Sequence, residues 1–158
     1  MRKAWIVPLL LIIGLVATVG WIIRAPRQQS FLPAELAGKI TFTVYAPKTM
    51  PTGFSLKTDS LRYQEGVLLL DITSPIADEP LVVSEQARPQ DFKFEDFYKD
   101  FFGSTKTTNE LGELVVGTVR NQTIASLLTD TTWVLITGSK NIEFATVSEL
   151  AKSLAPVN

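Results

Sequence analysis

Five carboxylates, Glu95, Asp96, Asp100, Glu110 and Glu113, crowd into the stretch 95–113 and are the first candidates for chemistry. A carboxylate pair does general acid–base work only when the two groups face each other a few ångströms apart and one has a raised pKa. Glu95 and Asp96 are neighbours, and on a helix they point about 100° apart, so they form no such pair. As first-turn charges they complement a helix dipole instead. The chain contains no His and no Cys, which removes Ser/His and Cys/His triads, ordinary zinc sites and disulfides. Gly103-Ser104-Thr105-Lys106-Thr107 superficially matches the end of a phosphate-binding loop. That motif needs glycine directly before the lysine and again five residues earlier, and Thr105 and Asp100 stand there. Asn121-Gln122-Thr123 is a glycosylation acceptor only in a source that glycosylates, and a hairpin turn accounts for Asn121 equally well. No catalytic, cofactor-binding or metal-ligating residue emerges, and an enzyme is not expected.

Binding chemistry has one candidate. Phe92, Phe94, Phe97, Tyr98, Phe101 and Phe102 are the densest apolar feature beyond the N-terminal segment. Phe94, Phe97, Tyr98 and Phe101 recur at i, i+3, i+4 and i+7, which predicts a helix over 93–102 with one wide apolar stripe and Gly103 just beyond its end. The four rings either cover a sheet as core or line a cavity for a lipid or another apolar ligand. Replacing Phe97 by Ala separates the two, since loss of a core ring costs about 3–5 kcal/mol of stability whereas loss of a ligand-facing ring costs binding.

The N-terminal segment locates the protein. Residues 4–23, AWIVPLLLIIGLVATVGWII, are an uncharged run of 20 flanked by Arg2, Lys3 and Arg24. At 1.5 Å per residue a helix of that length spans roughly 30 Å, the thickness of bilayer hydrocarbon. Trp5 and Trp21 near its ends suit the two interfaces, and Pro8 falls in the first turns, where a missing N–H costs least. A cleaved signal would have a shorter apolar core and small residues at its exit, and neither is found. The reading is a retained signal-anchor over 1–24, single-pass in the cell membrane, with the N-terminus cytoplasmic and the body extracytoplasmic. A short tail leaves little to translocate and large following domains cross readily. Beyond the anchor, residues 25–158 carry 12 Lys and Arg against 16 Asp and Glu. Such a balance offers nothing to hold a nucleic acid by counterion release and discourages contact with anionic lipid surfaces.

Residues 25–38, APRQQSFLPAELAG, lack sustained periodicity and read as a tether, leaving 39–158 as the folded domain. Lys39–Tyr45 alternates as a half-buried strand, and a further extended piece runs through Ser55–Tyr63. Glu65-Gly66 marks a turn before Val67–Thr73, whose nearly continuous apolar run predicts a strand covered on both faces. Leu81–Gln86 follows, then the Phe-rich helix, then strands over Gly112–Arg120, Gln122–Thr129 and Thr132–Gly138, separated by Asn121 and by Thr129-Asp130-Thr131. A last helix is expected from Thr146, where Thr-Val-Ser-Glu reads as a capping box, with Pro156 stopping it. The absence of βαβ alternation argues against a parallel sheet. The expected fold is α+β: the transmembrane helix followed by a curved antiparallel sheet packed on one or two helices, its apolar face covered by the Phe-rich one.

The C-terminal third, GELVVGTVRNQTIASLLTDTTWVLITG followed by TVSELAKSL, resembles the end of DUF4367-type domains of bacterial membrane-anchored and anti-sigma-related proteins. A hairpin, a strand with Trp133, and a closing helix ending in Ser153-Leu154 carry the resemblance, together with Pro-Thr-Gly-Phe at 51–54. It implies the half-barrel shape of lipoprotein carriers and anti-sigma regulators. It implies no catalytic motif. The expected function is a non-catalytic, membrane-anchored domain that binds a protein or envelope component in sensing or scaffolding; the alternative is a carrier or sensor of a lipid or other apolar ligand.

Overall fold

A computed structural model describes residues 31–74, 78–138 and 141–157, and the membrane helix expected over 4–23 lies outside them. Among the described residues no helix is long and apolar enough to cross a membrane. From Phe31 onward the chain forms one unit. In chain order its elements are α1 (Ala34–Ala37), β1 (Tyr45–Pro47), β2 (Ser55–Gln64), β3 (Val67–Thr73), β4 (Leu81–Ala87) and α2 (Phe94–Tyr98). They continue with β5 (Phe102–Asn109), β6 (Gly112–Val119), β7 (Gln122–Leu128), β8 (Thr132–Thr137), α3 (Phe144–Lys152) and β9 (Leu154–Pro156).

Seven strands form one sheet in the order β2-β3-β4-β8-β7-β6-β5, every neighbour antiparallel. Two meanders, β2-β3-β4 and β5-β6-β7-β8, thus join where β4 meets β8. The α+β class follows, as expected from the absence of βαβ alternation. One face is aliphatic: Leu70, Ile72, Leu81, Val83, Leu114, Val116, Leu127, Val134 and Ile136 are buried there under Val147, Leu150 and Ala151 of α3. This corrects the expectation that the Phe-rich helix covers the main apolar face. α2 lies on the opposite face, packed with Val115, Leu128 and Trp133. At five residues it is too short to cover the aliphatic face, and the nine-residue α3 packs there instead, over β6, β7 and β8.

Four further expectations are corrected. Val67–Thr73 is not covered on both faces: Leu68, Leu70 and Ile72 are buried while Val67 and Leu69 are half-exposed on the aromatic side. The aromatic helix ends at Tyr98 rather than Phe102, because the Thr-rich stretch behind it forms edge strand β5 against β6. Gly103, expected as the residue closing a helix, has φ +60 within the irregular register between Phe102 and Thr105, a conformation glycine tolerates in a bulge. α3 begins at Phe144 with Glu143 as N-cap and no side-chain cap, so the Thr146–Glu149 box does not form: Thr146 lies inside and its amide binds the Glu143 carbonyl. Pro156 sits in β9, beyond the helix end at Lys152.

The strand expected over Lys39–Tyr45 also shrinks, to Tyr45–Pro47, which pairs only with β9 as a separate two-stranded ribbon. The alternation survives in burial up to Val44, with Ile40 and Phe42 half-buried and Val44 buried against exposed Thr41 and Thr43, but Tyr45 is buried too, and side chains replace the ladder. Thr132 Oγ1 donates to the Thr43 carbonyl at 2.7 Å, and the Tyr45 amide donates to Glu85 Oε2 at 2.8 Å. In the stretch read as tether, α1 is a single turn and Phe31 packs half-buried against the main core.

Candidate functional site

The aromatic face is built from β-register and a short helix. Pairing places Val115, Ser126, Leu135, Ser84 and Leu69 in one row across β6, β7, β8, β4 and β3, and Glu113, Leu128, Trp133, Gln86 and Val67 in the next. α2 sits over the β6-β7-β8 end of these rows. Phe94, 3% exposed, is its anchor on Val115 and Leu128, while Phe97, Tyr98 and Phe101 are half-buried. Phe101 lies directly on Gly117, where a Cβ would come within 2.7 Å of the ring; the helix can approach the sheet there because that residue has no side chain.

All four rings of the expected stripe therefore come together, and Phe92 and Trp133 join them. Phe92 lies 4.4 Å and Phe97 5.0 Å from the Trp133 ring, Phe94 and Tyr98 meet edge-on at 5.3 Å, and Phe97 and Phe101 at 5.2 Å. These separations belong to directly packed aromatic pairs. Trp133 Nε1 donates to Ser126 Oγ at 2.8 Å, so its polar atom is satisfied within the cluster. Phe102 departs from the stripe and is 84% exposed at the start of β5.

Beside the cluster opens a cleft of about 460 Å³, lined by Phe92, Phe94, Leu128, Thr108 and Gly112 and by the charged side chains of Arg88, Lys93, Glu95, Glu113 and Asp130. Lys106 on β5 binds Glu113 at 2.9 Å and Glu95 at 3.7 Å and lies 5.7 Å over the Tyr98 ring. The Glu113 carboxylate, helped by Tyr98, holds the Lys106 pKa above its ordinary value. Glu95 and Glu113 thus meet through an ammonium that spends both of them as counter-ions. Among the described residues no group of three His, Cys, Asp or Glu is placed to hold a metal.

Two residues escaped the sequence reading. Trp133 enters that reading as a strand residue and as part of the DUF4367 resemblance, not as a ring of the cluster, although the period of two sets it and Leu135 on one face and Val134 and Ile136 on the other. Glu85 lies on the aliphatic face at 2% exposure, in register between Leu68 of β3 and Val134 of β8. Burial pushes its carboxyl up to about 8, and the hydrogen bond from the Tyr45 amide pulls only partly against that. The signal was in the sequence: Leu81, Val83 and Glu85 share the parity of one strand face. No protein family, curated protein or solved structure matches this chain.

Proposed function

We propose that the protein is a single-pass, membrane-anchored extracytoplasmic domain without catalytic activity, which recognises a protein or envelope component through the cleft beside α2. The observation that carries this reading is the state of the aromatic rings. A lipid carrier needs apolar surface left free for its cargo, whereas here Phe92, Phe94, Phe97, Tyr98, Phe101 and Trp133 stack on one another and on the sheet. Beside the packed rings opens a cleft lined by Phe92, Phe94 and Leu128 and by charges of both signs, a combination suited to a polypeptide segment. The uncharged run over 4–23 supports the anchor, and the resemblance to DUF4367-type domains rests on the sequence of the hairpin, the Trp133-bearing strand and the closing helix. A carrier of lipid or another apolar ligand is the competing reading.

The test places a photo-crosslinking residue at Lys93 in the full chain and irradiates it in native membranes, with a second probe at exposed Lys57 on β2 for comparison. A protein adduct at 93 that is lost in Asp130→Lys supports the cleft. Adducts to lipid alone at 93 favour the carrier, and protein adducts at 57 but not at 93 move recognition to another surface.

A further inference from the structure

The chain between the N-terminal segment and the sheet passes through a strap, Thr43–Pro47, that is fixed by few and identifiable bonds. Thr43 gives its carbonyl to Thr132 Oγ1 at 2.7 Å and its hydroxyl accepts from Thr131 Oγ1 at 3.3 Å. The Val44 carbonyl accepts from the Val157 amide at 2.9 Å, Lys48 just beyond the strap donates to the Ser153 carbonyl at 2.9 Å, and Tyr45 donates to Glu85 Oε2 at 2.8 Å. Because β1 and β9 form their own ribbon, lifting the strap breaks no ladder of the seven-stranded sheet. Besides these bonds the strap is held by its ladder with β9 and by the buried Val44 and Tyr45 side chains, so its lifting is a local opening that leaves the seven-stranded sheet paired.

Glu85 stands beneath this strap. Its other carboxyl oxygen has no protein partner among the described residues. The elements around it show it Leu68 from β3 and Val134 from β8, with Tyr63 and Leu127 next in the same row. Its own strand adds Val83, α3 presents Val147, Leu150 and Ala151 to that face, and the phenols of Tyr45 and Tyr63 are the titratable groups there. Glu149 and Lys152 of α3 stay exposed in solvent. No charged partner is placed to compensate an ionised carboxylate, which in such surroundings must find water. We propose that Glu85 is a proton-operated latch: neutral, it keeps the strap seated on β4, and it gives up its proton to bulk water as the strap lifts and water reaches the carboxylate. The latch is independent of what the cleft binds.

Linkage sets the pH range. Once water reaches it under the lifted strap, the Glu85 carboxyl moves back toward its ordinary value of 4.5, whereas the seated strap holds it at about 8. Between these values each opening releases one proton, so the opening constant rises up to tenfold per pH unit and levels above about 8. Hydrogen–deuterium exchange of the full chain in detergent micelles from pH 5 to 9, corrected for intrinsic exchange, reads this directly. Amides of 43–48 are expected to open more often than those of α3 and with the one-proton slope, and Glu85→Gln, which keeps an acceptor for Tyr45, is expected to abolish the slope. A flat wild-type profile overturns the latch. An equal slope in the variant overturns it too, as does a strap that exchanges only together with α3. Should the variant not fold, the wild-type carboxyl is followed by its ¹³C shift: an inflection near pH 8 with strap opening rising up to it supports the latch, and a carboxyl that titrates near 4.5 in the closed state overturns it.

Discussion

The two faces of the sheet bury their side chains by different means. On the aliphatic face α3 brings Val147, Leu150 and Ala151 onto β6, β7 and β8, Tyr45, Leu154, Phe31, Met50 and Phe54 fill out the same cluster, and its Leu, Ile and Val residues from five strands are buried. On the aromatic face a five-residue helix brings large rings that pack chiefly with one another and with Trp133, while Val67, Leu69, Val82 and Leu135 stay half-exposed beyond its reach. Aliphatic packing over a long helix closes a surface, whereas a short aromatic plate stabilises one end of a sheet and leaves the rest accessible. Stability is thus expected to reside mainly on the first face and recognition on the second.

Matched truncations test that division, and the largest effect is expected on the aliphatic face. Leu150 is fully buried, so Leu150→Ala is expected to cost about 2–5 kcal/mol. Phe97 is half-buried, and Phe97→Ala is expected to cost about 1–2 kcal/mol, below the range for a fully buried ring. Urea denaturation of the full chain in micelles measures both, and a larger loss for Phe97 than for Leu150 would reverse the assignment of the faces.

Next in size is Glu85, the buried carboxylic acid of the closed face. Glu85 has its carboxyl pKa raised by burial, so the folded state keeps a proton that the unfolded state gives up. Its contribution to stability is fully present below the ordinary carboxylate pKa near 4.5 and is lost progressively as pH rises to about 8. The slope is at most about 1.4 kcal/mol per pH unit, or roughly 2–3 kcal/mol between pH 6 and 8. Denaturation midpoints at those two pH values should differ accordingly in the wild type and converge in Glu85→Gln; a midpoint that rises with pH would mean the carboxyl is ionised in the fold.

A smaller effect is expected where α2 meets the sheet. Gly117→Ala sets a Cβ within 2.7 Å of Phe101 Cδ2 and 2.8 Å of its Cβ. The ring can turn but the Phe101 Cβ cannot retreat without moving the end of α2, so an overpacking cost of about 1–3 kcal/mol is expected. Because the strain falls on the plate alone, near-ultraviolet circular dichroism of the aromatic cluster should change while amide protection in α3 stays as in the wild type. Loss of protection in α3 would show the faces to be coupled.

The same contrast explains what the sequence could tell. Strands such as Val67–Thr73 and Thr132–Thr137 were legible because short apolar and β-branched runs are written in consecutive residues, although the one-sided burial of Val67–Thr73 was not. Which helix covers which face was not, since it depends on lengths: the i, i+3, i+4, i+7 spacing of Phe94, Phe97, Tyr98 and Phe101 brings the rings together but does not show that the helix stops at Tyr98. β5 was missed because Ser104, Thr105, Lys106, Thr107 and Thr108 have no apolar alternation, every residue of this edge strand being exposed. The cleft was illegible for a related reason. Arg88, Glu95, Glu113 and Asp130 come from four separate segments and meet only through the β5-β6-β7 register and the placement of α2. Glu85, in contrast, was legible by parity, since it shares a strand face with Leu81 and Val83, but it is not among the residues singled out from sequence.

The smallest effect concerns the hydrogen bond between β7 and β8 that holds Trp133, the sheet residue against which the plate packs. Ser126→Ala removes the acceptor of Trp133 Nε1 and leaves a space the size of one hydroxyl. Ser126 itself is fully buried, so no solvent stands ready on the strand side, but Trp133 is half-exposed and its ring can shift toward water. The expected cost is therefore about 1 kcal/mol, that of a neutral hydrogen bond rather than of a stranded buried donor. A red-shifted Trp133 contribution in the difference spectrum between wild type and variant would accompany it. A loss as large as that of Leu150→Ala, with unshifted emission, would mean that Trp133 is locked as firmly as the aliphatic core and that the aromatic face is closed after all.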